Sequence, residues 1–564
     1  MVRIQKSAHR LEMSAPAYSL TFDDDRPWTV SLAAGTGAPA LDLFLASSVD
    51  TAAGRDELAP AGTPEVTREG DTLLATYTTR SSRWERKRYV FACTEADIGY
   101  HVAVEGRGRV TFCRFFQGFL AQDGESLGLG PNYFRAGFER PYRDLARGSR
   151  LHVPVVYTAR PTAAERDALP FWEDAEIDLI DDPFRHGGGD SFLPAPWMFA
   201  FDLGRDQPWA AVGLAARPDE LGFTSFSFRG GETVGFELAY PGHSVDGRWR
   251  SPEVVFCLGA RDQYAAWRSL TDALRRRDLL AEDPPAPEPT PAWWSRPIFD
   301  GQGEQHALRG GGSPEEECTQ GNYQDALSLL KQHGLQPGTV WIGSGWMAED
   351  RPGEPDAARW PDFKGFIEAQ HHAGRKVIAS WPLRLKPPAH IFPDPRSAAY
   401  RRWIDELLCR LLKPDGADLD GLRIADHGWP DGQWLRDALS LVRGILKGVK
   451  PDGLLVAPTV NPAYADLVDM VPLGGLWSDR RSVAAAVRHR AALARLVGRH
   501  WLLAVTDRHA PGINAWREVI ELQAGLGVPV LSYARCLDQT GEPLESEDFA
   551  LVRRVWMESG GVAS

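Results

Sequence analysis

The sequence predicts an α/β chain in two parts, a C-terminal (β/α)8 TIM barrel preceded by a large antiparallel β-sandwich. Three observations carry the prediction. The run Asp283–Pro291, DPPAPEPTP, places five prolines in nine residues, which excludes helix and inner strand and makes a stiff linker. Before it lie short segments of alternating apolar and polar residues; after it, strand, loop and helix patterns recur in turn. The expected organisation is therefore a β-sandwich over 1–282, a Pro-rich linker over 283–295 and a barrel over 296–564. At 564 residues the chain exceeds what one core organises.

In the first part the strand candidates are TLLATYTT (72–79), RKRYVFAC (86–93), YHVAVEG (100–106), RVTFCRFF (109–116), TVGFELAY (233–240) and EVVFCLG (253–259). They are rich in β-branched and aromatic residues and are punctuated by Gly, Pro and Asp, as in a sandwich. A helix over Tyr264–Leu280 leads into the linker, its Arg275–Arg277 run read as a solvated helix end.

In the second part eight strands are expected: PIFDGQG (297–303), TVWIGSGW (339–346), KVIASWP (376–382), DGLRIADHG (420–428), GLLVAPTV (453–460), VDMVPLG (468–474), HWLLAVTD (500–507) and VPVLSYAR (528–535). Amphipathic helices such as NYQDALSLLKQHG (322–334) and AYRRWIDELLCRLL (399–412) separate them, and only a short turn, NPAYADL, joins the fifth and sixth. Such a barrel typically takes ~250 residues. An open doubly wound sheet fits less well, because no Gly-rich phosphate loop follows the first strand.

Composition narrows the function classes. A formal charge of −13 leaves no basic face for nucleic acid or anionic lipid. Six scattered cysteines without a C-x-x-C pair suit a reduced, cytoplasmic setting rather than a disulfide framework or a zinc site. The N-terminal segment MVRIQKSAHRLEMSAPAYSL lacks a continuous apolar stretch, so neither a signal peptide nor a membrane span is expected. Zinc-peptidase, P-loop and esterase signatures are missing. His371 and His372 are adjacent on a helix and point different ways, which argues against a joint metal site.

Barrels of this kind place chemistry at the C-terminal ends of their strands. Read in order, those ends offer Asp300; Gly343-Ser344-Gly345-Trp346; Trp381; Asp426-His427-Gly428-Trp429; Trp477-Ser478-Asp479; Asp507-Arg508-His509; and Tyr533 with Arg535. Of 20 tryptophans, four fall at this rim. Indoles stack on the C–H faces of sugars, so Trp346, Trp381, Trp429 and Trp477 are expected as platforms, with Asp300, Arg423 and His427 completing the binding set. Two carboxylates flanking a glycosidic bond serve an oxocarbenium-like transition state, ~5–5.5 Å apart in a retaining enzyme. For Asp300 and Asp507 the plainer expectation is a solvated loop Asp capping the next helix, Asp507 pairing with Arg508.

The barrel segments PIFDGQGEQ, TVWIGSGW, WPDFKGFIEAQHHAGRKVIASWPLR, GADLDGLRIADHGW and VAPTVNPAYADLVDM, in that order and spacing, resemble the clan of retaining α-glucosidases and α-galactosidases, glycoside hydrolase families 31 and 36. The resemblance covers about 290–560 and, in architecture, the β-rich part before it. It implies a small carbohydrate or α-glycoside as ligand and no cofactor; with no signal peptide expected, an imported or intracellular glycoside fits better than a secreted polymer. It also implies two acids in an I-D-D-G-W stretch on the second strand, where this chain has Ile342-Gly343-Ser344-Gly345-Trp346. On the fourth strand the family's G-x-K-x-D ends in the nucleophile, and here Gly421-Leu422-Arg423-Ile424-Ala425 sets Ala425 at that place with Asp426 next. The family's general acid follows the sixth strand, where Asp479 stands as the acid/base candidate and Asp426 as the nucleophile candidate.

Alternation puts Arg423 and Ala425 on one strand face and Asp426 on the other unless a bulge intervenes. Three readings of Ala425 follow: an inactivating substitution, a natural non-catalytic relative that binds sugar or scaffolds a partner, or catalysis rewired through Asp426 and Asp479. The missing second-strand acids favour a natural departure.

Overall fold

The computed structural model describes residues 2–24, 29–35, 41–58, 64–122, 125–128, 151–152, 196–202, 208–228, 235–280, 290–425, 430–473, 483–508 and 510–559. These fall into two compact units. One holds the described residues up to 280 together with Pro430–Gln433; the other holds 290–425 and those from Trp434 onward.

The first unit is built from antiparallel sheets. A five-stranded sheet spans Arg3 to Phe44 in sequential order, and an eleven-stranded sheet contains the strands Thr72–Thr79, Arg86–Cys93 and Glu253–Ala260. Two expected strands are one: Ile98–Phe115 runs unbroken for 18 residues. Its Gly106 takes a φ of 137° in mid-strand, a turn signal by composition that the long pairing with Phe236–Arg250 overrides. The sheets pack face to face through aromatics, Phe22 of the smaller sheet meeting Tyr77 and Phe91 of the larger at ring-centroid distances of 5.4 Å. Alternation fails at one core position: Lys87 lies with Tyr89, Phe91 and Cys93 on the buried face. Its ammonium is fully buried, donates to the Ser47 carbonyl at 2.5 Å and pairs with the equally buried Asp56.

The second unit is a closed barrel of eight parallel strands: Ile298–Asp300, Thr339–Ile342, Lys376–Trp381, Gly421–Ile424, Leu454–Val456, Met470–Pro472, Leu502–Val505 and Val528–Leu531. Each coincides with an expected apolar run, as buried parallel strands must. Helices begin where a side chain satisfies an otherwise orphaned N–H: Thr319 accepts from Asn322 at 3.1 Å, Asp362 from Gly365 at 3.0 Å and Ser397 from Tyr400 at 3.1 Å. Residues 292–295, read as the end of the linker, instead form a 3-10 turn. Trp294 of that turn packs against Ile298, Leu454 and Val528 in the barrel core, and its indole donates to Asp452 just before the fifth strand at 2.9 Å. The turn thus caps the amino-terminal end of the barrel.

Two buried carboxylates staple that same end. Asp420, immediately before the fourth strand, meets His371 at 2.7 Å, Lys376 at 2.8 Å and the Val377 N–H at 2.9 Å. Asp469, before the sixth, meets Arg443 at 2.8 Å and Lys447 at 2.9 Å. His371 is thereby a structural partner, while His372 turns to its own helix at Glu368. Burial works against the Asp420 charge, but its hydrogen bonds from His371 and Lys376 outweigh this and draw the pKa down to about 2. A carboxylate lowered in the folded state stabilises fully above its unfolded pKa, near 4, and loses that contribution as pH falls through about 2. Asp420→Asn is expected to cost about 2 kcal/mol at pH 7. In urea unfolding the gap from wild type should close as pH drops from 4 toward 2.

Candidate functional site

At the carboxyl ends of the strands, charged side chains from distant parts of the ring meet over one amide. Arg423 from the fourth strand and Arg508 from just after the seventh each donate to the Gln302 carboxamide oxygen at 2.5 Å. Asp300, ending the first strand, lies with Oδ2 3.6 Å from Arg508 and 3.9 Å from Arg423. Its Oδ1 accepts from the Gln302 N–H at 3.2 Å. The Arg423 guanidinium stands 5.3 Å from the Trp341 ring centroid. Because strands one, four and seven contribute, these groups point at the barrel axis.

Burial sets the electrostatics. Asp300 is wholly buried, and desolvation raises its pKa even though Arg423 opposes the rise. Burial also pulls Arg508 down to about 10 and pushes Asp507 up to about 7. These findings correct the solvated-loop reading of both acids. Asp507 accepts from the Trp516 indole and the Ser532 N–H, each at 2.8 Å, while Arg508 turns to Gln302 rather than to its neighbour.

Tryptophans at the rim also need correction. Trp346 and Trp381 are 0% exposed. Trp346 stacks on Phe363 at 5.1 Å and donates to the Ser380 carbonyl at 2.8 Å. Neither ring offers a face to a sugar, because both are fully buried, Trp346 against the helix that begins at Phe363. Asp426, His427, Trp429, Trp477 and Asp479 lie outside the described residues.

Ala425 is described, half-buried, and its N–H donates to the Trp381 carbonyl at 3.2 Å. That bond extends the ladder one residue past Ile424, so alternation keeps the Ala425 methyl on the inward side with Arg423. Gly343, just after the second strand, marks a second departure from the resemblance. A Cβ there would come within 2.8 Å of both amide atoms of Gln305, so an acid at this position has no room without moving Gln305. Gln305 is itself held by Tyr323 at 3.1 Å, and Tyr323 donates to the Trp341 carbonyl at 3.0 Å.

Gln302 was not singled out from sequence, and Arg508 was read only as a partner for Asp507. The glycine after Gln302 has a specific role: a Cβ on Gly303 would strike the Ser532 carbonyl at 2.4 Å. Close approach there lets Glu304 lock the first loop to the last, accepting from the Arg535 N–H at 2.8 Å and its guanidinium at 2.6 Å.

No family model and no curated protein matches this chain. Among solved structures, a GH31 family sulfoquinovosidase from E. rectale, in complex with an aza-sugar inhibitor, matches with a TM-score of 0.52 at 10% identity. The match covers 99% of this chain and 82% of that one. The cycloalternan-forming enzyme from Listeria monocytogenes matches with a TM-score of 0.49 at 10% identity over 97% of this chain, which spans only 56% of that enzyme. A GH36 α-galactosidase from Geobacillus stearothermophilus, in complex with raffinose, gives 0.45 at 9% identity over 98% of this chain and 86% of that one. At such identities the likeness is one of fold. In fold, this chain is similar to a glycoside hydrolase of family 31.

Proposed function

We propose that this chain is a carbohydrate-active protein of the retaining α-glycosidase kind, taking a small α-glycoside at the carboxyl end of its barrel. The observation that carries the reading is the convergence of buried Asp300, Arg423 and Arg508 on half-buried Gln302 at the barrel axis, in a fold shared with a sugar hydrolase. Ordered, desolvated donors and acceptors are what orients a polyol, since every unmatched hydroxyl costs binding energy. In this proposal Arg423 and Arg508 hold ring hydroxyls, directly or by exchanging with the Gln302 carbonyl. Asp426 attacks the anomeric carbon and Asp479 protonates the leaving oxygen, after which Asp479 removes a proton from the hydrolytic water. The two-carboxylate scheme needs no cofactor.

A panel of aryl α-glycosides tests this on wild type, Asp426→Asn and Asp479→Asn. Turnover in wild type is expected to fall by on the order of 10^3-fold or more in each variant. Turnover that survives both substitutions would refute the assignment. No turnover anywhere, together with calorimetric binding of a sugar, would select a non-catalytic sugar-binding protein instead.

A further inference from the structure

The large sheet of the first unit has one face that no partner sheet fills evenly. Alternation along Thr72–Thr79, Arg86–Cys93 and Ile98–Phe115 sends Leu73, Tyr89 and Tyr100 into the core and their neighbours to the opposite side. On that opposite side the central positions are short: Thr76, Val90, Ala92 and Ala103. Register sets Val90 between Thr76 and His101, and Ala103 between Arg88 and Arg250. Small side chains in the middle and long ones around them leave a cavity of about 660 Å³.

Five arginines line this cavity, Arg88, Arg217, Arg248, Arg250 and Arg277, against three glutamates. Ion pairs fix several in place: Arg250 to Glu220 at 3.0 Å, Arg277 to Glu253 at 2.7 Å, and Arg88 to Glu105 beside the cavity at 3.2 Å. Arg217 makes no ion pair among the described residues. Half-buried Trp249 also lines the space, and His101 sits on its floor. Burial, then the charges of Arg250 and Arg88, lower the His101 pKa to about 3. Its imidazole is thus neutral near pH 7, with one donor and one acceptor.

We propose that this cavity binds a small saccharide carrying an anionic group. An unpaired guanidinium fork recognises a carboxylate, sulfate or phosphate. Ion-paired arginines and glutamates, already held in position, present donors and acceptors to hydroxyls at little ordering cost. The short apolar floor of Val90, Ala92 and Ala103 supplies surface for a sugar's C–H face, and the volume lies within the small-molecule range. Binding here is independent of catalysis in the barrel, and the titration reads binding rather than turnover.

Calorimetric titration of the full chain separates the alternatives, with trigalacturonate, glucose 6-phosphate, maltotriose, triglutamate and inorganic phosphate as probes. At least one acidic sugar should bind at one site, at least about 10-fold tighter than maltotriose, and weaken with added salt. Arg217→Ala strands no carboxylate and is expected to reduce that affinity by about 10- to 100-fold. Ala103→Trp fills the floor, keeps a strand-favouring residue and leaves charge unchanged; it should abolish binding. Equal binding of maltotriose would overturn the anionic part of the proposal. Triglutamate or phosphate binding as tightly as the acidic sugar would overturn the saccharide part. No binding by any probe, or binding untouched by Ala103→Trp, would overturn the site.

Discussion

Lys87→Met is expected to destabilise the first unit by about 3–5 kcal/mol, the cost of removing one partner from a buried ion pair. Asp56 would be left between the sheets with its Val49 N–H contact at 3.1 Å and its Ser81 hydroxyl contact at 2.5 Å, but without a countercharge. Lys87 donates to the Ser47 carbonyl as well, so that acceptor keeps only the Tyr89 hydroxyl at 2.9 Å. Chemical unfolding of the full chain, followed by near-UV signals, measures the loss. The paired change Lys87→Met with Asp56→Leu should recover most of it, because two apolar groups need no countercharge. A single Lys87→Met variant as stable as wild type would show that the pair contributes nothing.

The second large effect concerns rate. Ala425→Asp is expected to raise turnover of aryl α-glycosides by on the order of 10^3-fold or more, about 4 kcal/mol of barrier. The reason is geometric. The Ala425 N–H extends the ladder to Trp381, and Arg423 two residues earlier already faces the axis. A carboxylate at 425 would therefore stand on the inward side, where a methyl group cannot form a glycosyl ester. Loss of Asp426 in that background should then matter little. A folded Ala425→Asp protein with unchanged turnover would place position 425 away from the reacting carbon.

These effects divide along a line that also separates what was readable early from what was not. The barrel strands were readable because each is buried on both faces and so shows as an uninterrupted apolar run; Leu502–Val505 and Val528–Leu531 need no partner to be recognised. Arg423 was named because the resemblance sets a basic residue at that place on the fourth strand. Lys87 was not readable, since it stands between Arg86 and Arg88 and only the buried Asp56 beside it marks it as a core residue. The unbroken strand from Ile98 to Phe115 was not readable, since its glycines signal turns locally and only its long antiparallel partner keeps it extended.

Sequence alone determined the succession of elements, the shared face of Arg423 and Ala425, and the absence of an acid at 425. Tertiary structure decided which rim residues are packing and which are chemistry. Trp346 and Trp381 are rim residues by position but core residues by burial, Phe363 stacking over the first. Asp300 and Gln302 are far in sequence from Arg423 and Arg508, and the four form one cluster only when the sheet closes on itself. Burial depends on what the rest of the chain brings near, and a residue's type and neighbours in sequence carry no record of that.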